Sequence, residues 1–352
     1  MERVKIGIII HPLNTESFRD LFPKIYTFFG NWILKFLDDS FITHNIVRIP
    51  PHKIMHVCNL IHNNYEIEIL GVLLPIFPRQ MLIEKENTIK KIIDCFKIFE
   101  QENVNIITLA GFTSIVTNGG RDVSKMTSIP ITSGNATTAV LASMALEKEA
   151  GRHGKKVREL SVAIIGATGD IGSICARIYS KKAKFLRLCS RTISDDSEIC
   201  KKLKAEGFDQ FVCFTDAREA VSDADLIIAA ASSVDALLGY SDFKEGSIIC
   251  DIGMPPNVSF EKSGLTSFPA KKTLFFGGTS ELPFYKKIFD SKWKSFFPQN
   301  AIYGCLTEAI ILAFSKRFDL VSLGRGEISS ENLEGLADLI LKYRIFPAVK
   351  YL

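Results

Sequence analysis

Short apolar runs and helical patterns alternate along the first 150 residues. Residues 5–10 (KIGIII) predict a buried strand, 17–37 a helix, and 66–74 a second strand ending at Pro75. Over 84–101 the apolar positions 89, 92, 93, 96, 98 and 99 recur among lysines and acids, which predicts an amphipathic helix. A strand over 104–110 follows, closed by Gly111. In TSGNATTAVLASMALEKEAG, Thr132 or Ser133 is placed to cap a helix running to Glu149 and stopped by Gly151. The basic stretch GRHGKKVREL is the sharpest change of composition and sets a domain boundary near residue 156.

Beyond it the pattern changes to apolar strands over 161–166, 185–190, 224–232, 247–253 and 273–278, with helical segments filling the longer gaps. Strands spaced by helices predict a parallel, doubly wound sheet. Two helices, over 301–316 and 330–343, close the pattern. The fold class expected is therefore α/β. An N-terminal α/β substrate domain (1–155) precedes a Rossmann-type NADP-binding domain (156–282) and a C-terminal helical segment (283–352).

The 352 residues are 47% apolar and 23% charged, enough to bury sizeable cores and too apolar for disorder. The formal charge of +4 is small, which argues against a general nucleic-acid binder. The initial apolar run is cut short by His11 and Pro12, and no stretch approaches a membrane span, so a soluble, cytoplasmic protein is expected. Eight cysteines (Cys58, Cys95, Cys175, Cys189, Cys200, Cys213, Cys250, Cys305) contain no CxxC pair, as reduced packing thiols do, and no metal site is expected. All six histidines lie within the first 153 residues, so chemistry housed later has no local imidazole.

The motif with most chemical content is Gly166-Ala-Thr168-Gly169-Asp170-Ile171-Gly172, which follows a strand and opens a helix. Glycines at this spacing make the tight turn, let the backbone approach a pyrophosphate and bring helix against sheet. The next strand ends at Ser190-Arg191-Thr192, where an NAD-preferring domain carries an acid for the ribose diol. A guanidinium there suits a 2′-phosphate, so NADPH is the expected coenzyme. Cys305 opens the pattern CLTEAIILAF, on a helix that Asn300 is placed to cap. With that cap Cys305 falls in the second turn, where the helix dipole has faded, so a cation such as Arg325 or a preceding lysine would do more to lower its pKa. Between residues 286 and 294, Lys286, Lys287, Lys292 and Lys294 are interleaved with aromatics, either as a solvated basic face or as a dock for an acidic partner.

Taken together, these motifs resemble the long-chain acyl-[acyl carrier protein] reductases, aldehyde-forming enzymes. The resemblance runs from about residue 65 to about 340. It rests on LAGFTSIV (109–116), TSGNATTA (132–139), VAIIGATGDIGS (162–173), Ser190-Arg191, DIGMPPNV (251–258), Gly277-Gly278, CLTEA (305–309) and SLGRGEI (322–328). It implies that Cys305 is the nucleophile of an acyl-enzyme. It also implies that NADPH sits on Gly166, Thr168, Gly169, Asp170, Ile171, Gly172, Ser190 and Arg191, with Gly277 and Gly278 nearby. The implied substrate is a fatty acyl chain on acyl carrier protein or CoA, and an aldehyde-consuming enzyme is the implied downstream partner. Three other readings stay open at this stage: a shikimate-type dehydrogenase, a glutamyl-tRNA-reductase-like enzyme, and a non-catalytic NADP(H)-binding regulator in which Cys305 is core packing.

Overall fold

A computed structural model describes residues 2–21, 37–62, 65–259, 272–282, 301–324 and 327–351. By packing, the chain divides into two compact units, Met1–Gly134 with Leu282–Leu323, and Asn135–Glu281 with Gly324–Leu352. The division differs from the one expected from composition. The Asn135–Arg152 helix belongs to the second unit, so the boundary lies ahead of it and not near residue 156. Among the described residues beyond 282 there is no third body, because residues 301–323 belong to the first unit and the remainder to the second.

The first unit is built on strands β1 (Glu2–Ile10), β2 (His52–His62), β3 (Tyr65–Leu73), β4 (Ile106–Leu109) and β5 (Ile131–Thr132), ordered β2-β3-β1-β4-β5. All neighbours are parallel except β2, which returns antiparallel along β3. β1 is central, and Ile6, Ile8 and Ile9 are buried, as a strand paired on both edges and covered on both faces requires. The expected amphipathic helix is Lys85–Gln101; it buries Ile92, Cys95, Phe96 and Phe99. A Cβ on Gly7 would come within 2.8 Å of the Phe99 ring, so the helix packs against bare β1 backbone at that point. Of the helix expected over 17–37, Thr15–Leu21 is described and residues 22–36 lie outside the described residues.

At the end of β1 stands buried His11. Its Nε2 accepts the Phe112 N–H at 3.2 Å and its Nδ1 lies 3.2 Å from the Pro12 carbonyl, which places the ring proton on Nδ1. Burial lowers the His11 pKa to about 4. The unfolded chain therefore takes up this proton near pH 6.5 and the native fold only near 4, so stability is fully present above 6.5 and declines as pH falls between those values. A gap of this size corresponds to roughly 3 kcal/mol. The melting temperature of the wild type is expected to fall between pH 7 and pH 4.5 by more than that of His11→Gln, which keeps a neutral side chain. Parallel decline of the two would exclude His11 as the cause.

The second unit contains β6 (Ser161–Ile165), β7 (Phe185–Cys189), β8 (Phe211–Phe214), β9 (Leu226–Ala229), β10 (Ile248–Asp251) and β11 (Thr273–Glu281). Their order is β11-β10-β9-β6-β7-β8, all parallel. The sequence pattern anticipates five of the six. The sixth, β8, is half-exposed and carries no apolar run long enough to stand out. Chain order reverses between β6 and β9, which makes the crevice at their carboxyl ends the expected ligand position in such a sheet. The Asn135–Arg152 helix buries Ala136, Ala139, Ala142 and Ala145, small residues that allow close approach. The C-terminal region is not wholly helical, since after the Ser330–Lys342 helix a strand, Phe346–Tyr351, runs antiparallel to β11. Among the described residues no helix is long and apolar enough to cross a membrane.

Candidate functional site

In the second unit, the loop after β6 uses its glycines as the motif predicts. Gly166 has φ +86°, and a Cβ there would lie 2.7 Å from the Ala230 carbonyl oxygen. A Cβ on Gly172 would lie 2.1 Å from the Gly166 oxygen. The Asp170–Ser180 helix can therefore start directly under the turn, and the Gly169 N–H closes it on the Gly166 carbonyl at 2.8 Å. Thr168, Gly169, Asp170 and Ile171 are half-buried along this turn. Asn135 Nδ2 donates to Asp170 Oδ2 at 3.0 Å, orienting the carboxylate at the head of the helix.

The crevice floor is fixed by the DIGMPPNV segment. Buried Asp251 accepts the Gly253 and Val258 N–H groups, each at 2.9 Å, and burial raises its pKa to about 6. Asn257 brackets Ala231, accepting its N–H at 2.8 Å and donating to its carbonyl at 3.0 Å. Sequence reasoning had no role for Asn257; its signal was the polar residue closing a Pro-Pro turn.

At the end of β7, Ser190 and Arg191 stand where the 2′-phosphate of NADPH was expected. Arg191 is exposed. The Ser190 Oγ is buried and has no hydrogen-bond partner among the described residues. An exposed guanidinium next to a hydroxyl that lacks a partner among the described residues fits an anionic ligand group, whereas Arg187 is already committed to the Ala220 and Glu219 carbonyls and the Phe214 ring. Removing a charge-assisted contact costs about 1.5–3 kcal/mol. Arg191→Ala is therefore expected to weaken NADPH binding roughly ten- to hundredfold and NADH binding little, by titration calorimetry; equal losses would remove Arg191 from this role.

Gly277 and Gly278 have a packing reason of their own. A Cβ on Gly277 would lie 2.2 Å from Cys250 Sγ, and Gly278, at φ +67°, would meet Thr138 Cγ2 at 2.8 Å. The pairing of β11 with Phe346–Tyr351 shifts register between Phe276 and Thr279, so these glycines mark a bulge buried in the sheet.

In the first unit, Cys305 belongs to the Gly304–Ser315 helix, whose N-cap is Tyr303. It therefore stands in the first turn and not the second. The proposed cap Asn300, the candidate cation Arg325 and the lysines at 286, 287, 292 and 294 lie outside the described residues. Thr108 Oγ1, at the end of β4, donates to the Cys305 carbonyl at 2.9 Å. On another side Gly134, at φ +67°, packs so closely that a Cβ would fall 2.1 Å from Cys305 Cα. Thr132, expected as a helix cap, instead accepts the Gly134 N–H at 3.1 Å and donates to Glu308.

Burial pushes the Cys305 thiol up to about 12, opposed by the Leu306 N–H and reinforced by Glu308. First-turn dipole effects amount to about 2 kcal/mol at most, or some 1.5 pKa units, so burial wins here. The resting residue is a thiol. Cys95, Cys175, Cys189, Cys200 and Cys250 are fully buried free thiols, whereas Cys305 and Cys213 are partly exposed. No cluster of metal-ligating side chains occurs among the described residues.

Residues 148–270 match the shikimate / quinate 5-dehydrogenase family. The aminotransferase PigE of Serratia sp. is 22% identical over 283 residues, covering 79% of this chain and 32% of that protein. The chain thus spans about a third of that relative's length. The long-chain acyl-[acyl-carrier-protein] reductase of Synechococcus elongatus is 25% identical over 275 residues, covering 73% of this chain and 76% of that protein. Among solved structures, the nucleotide-binding domain of glutamyl-tRNA reductase from Thermoplasma volcanium is 17% identical with a TM-score of 0.27, over 38% of this chain and 84% of that one. The glycine loop, the doubly wound sheet and the family match over the same residues make the second unit a Rossmann-type domain with NADPH as its coenzyme.

Proposed function

We propose that the chain reduces a long-chain acyl thioester, carried by acyl carrier protein or CoA, to the aldehyde. The observation that carries this reading is the setting of Cys305, in the first turn of the Gly304–Ser315 helix with Gly134 packed against its Cα. Similarity to the Synechococcus elongatus reductase supports it, and the dehydrogenase family match ends before Cys305.

The Cys305 sulfur attacks the thioester carbonyl, the thiol proton passes to the departing pantetheine sulfur, and an acyl-Cys305 thioester remains. The 166–172 loop would hold NADPH, which would supply the hydride for reduction of such an acyl group to the aldehyde oxidation level. Cys305 then acts as leaving group: the oxyanion collapses, the C–S bond breaks and the aldehyde is released. The Leu306 N–H stabilises the expelled thiolate until water returns its proton. Thiolates leave without obligatory protonation, so no histidine is needed. The lysines between 286 and 294 offer an acidic carrier protein a complementary charge, and an aldehyde-consuming enzyme completes the sequence.

Incubation with an acyl thioester in the absence of NADPH should leave one acyl group on the protein, seen as an intact-mass increment mapping to Cys305. Adding NADPH should clear it and release aldehyde. An adduct elsewhere, or one that NADPH does not discharge, defeats the reading.

A further inference from the structure

Glu308, one helical turn beyond Cys305, is completely buried. Its carboxylate accepts from Thr132 Oγ1, from the Ser322 N–H at 3.0 Å and from the Ser322 hydroxyl at 2.9 Å. Thr132 Oγ1 in turn accepts the Gly134 N–H at 3.1 Å. Ser133 completes the tie, donating to the Ser322 carbonyl from its N–H at 2.9 Å and from its hydroxyl at 3.1 Å. One buried carboxylate thus gathers the 132–134 loop, Ser322 and the Cys305 helix. A buried carboxylate is costly unless its lone pairs are satisfied, so a packing role alone would be served better by an apolar side chain of similar volume. What the network fixes is Gly134, whose backbone lies against Cys305 Cα.

Resting on the reading of Cys305 as nucleophile, we infer that Glu308 is a positioning residue: its hydrogen bonds to Thr132 and Ser322 hold Gly134 against Cys305 and so fix where the sulfur meets the acyl carbonyl. Its charge has a second consequence at the same sulfur, because Glu308 opposes ionisation of the Cys305 thiol. Tyr303, half-buried at the helix cap, also interacts electrostatically with this thiol, so it is left unchanged in the test.

Two full-length variants separate the effects. Glu308→Gln removes the charge and perturbs the hub, whereas Thr132→Val breaks the hub and keeps the charge. Two rates are read: alkylation of Cys305 by iodoacetamide at pH 9, and formation of acyl-Cys305 from an acyl-CoA. Misplacing a reacting group by about 1 Å can cost about a hundredfold, so both variants are expected to slow acyl transfer at least tenfold. Removing the charge should also speed alkylation about threefold or more in Glu308→Gln alone, a response that simple loosening would give to both. Acyl transfer within twofold of wild type in either variant overturns the inference. If Glu308→Gln does not fold, Ser322→Ala takes its place with the same expectation for acyl transfer. Should wild-type protein form no acyl adduct, the Cys305 reading falls on its own. The alkylation arm then decides whether Glu308 acts on this thiol, and equal rates in Glu308→Gln and wild type would exclude it.

Discussion

Cys305→Ala is expected to yield a folded protein that binds NADPH with wild-type affinity, carries no acyl group after exposure to thioester, and releases no aldehyde. Removing the proposed nucleophile should eliminate both half-reactions, and losses of at least about 10⁴-fold are usual for a group that forms a covalent intermediate. The fold should tolerate the change, because Cys305 is partly exposed and a deleted sulfur leaves a small cavity costing on the order of 1 kcal/mol. Cys250→Ala gives the opposite pattern. Its sulfur is fully buried, lies against Gly277 and is within 3.9 Å of the Ala142 carbonyl, so that variant should melt earlier and still turn over. Quenched-flow aldehyde assays with calorimetric melting distinguish the two. An active Cys305→Ala enzyme ends the acyl-enzyme mechanism.

The coenzyme loop was legible in the sequence because most of its turn is local. Gly169 and Gly172 meet Gly166 and Ala167, so spacing conveys that part of the geometry, whereas the approach of Gly166 to Ala230 and Ala231 joins distant parts of the chain. Cys305 is different. Its helix could be read from the apolar pattern, but with eight cysteines its importance came from the resemblance, and its first-turn position depends on where the helix begins. Thr132 and Ser133 looked like helix caps because hydroxyls before an apolar helix usually are. Thr132 bonds Glu308 and Ser133 bonds Ser322, partners contributed by distant parts of the chain. Periodicity does not announce such pairings.

The boundary was misplaced for a related reason. Composition changes sharply at the basic stretch around residues 151–160, yet which body a helix joins depends on the surface its apolar face covers. The Ala136, Ala139, Ala142 and Ala145 side of the Asn135–Arg152 helix is buried in the second unit. The strand Phe346–Tyr351 was missed because Pro347 breaks a run of only six residues, and a proline there argues against a strand until its partner is known. That partner is β11, whose Gly277-Gly278 bulge shifts the register between the two.

Gly134→Ala is the substitution with the largest expected structural effect. At φ +67° an alanine is strained by about 1 kcal/mol before any contact is considered. Its Cβ would then lie 2.1 Å from Cys305 Cα and 2.9 Å from Cys305 C, both of them backbone atoms. No rotamer change can relieve such an overlap; either the 132–134 loop or the first turn of the Cys305 helix must move. Overpacking of this kind adds about 1–3 kcal/mol, for a total of roughly 2–4 kcal/mol, and the displacement falls on the proposed nucleophile. Acyl-Cys305 formation should drop about a hundredfold or more, while NADPH affinity, which depends on the 166–172 loop of the second unit, should stay within twofold. Gly151→Ala is the matched control. It lies in the last turns of a helix with nothing within 4 Å of its Cβ position, so alanine there should be neutral or stabilise by up to about 1 kcal/mol. If Gly134→Ala melts and transfers acyl groups like Gly151→Ala, the contact between Gly134 and Cys305 does not govern the site.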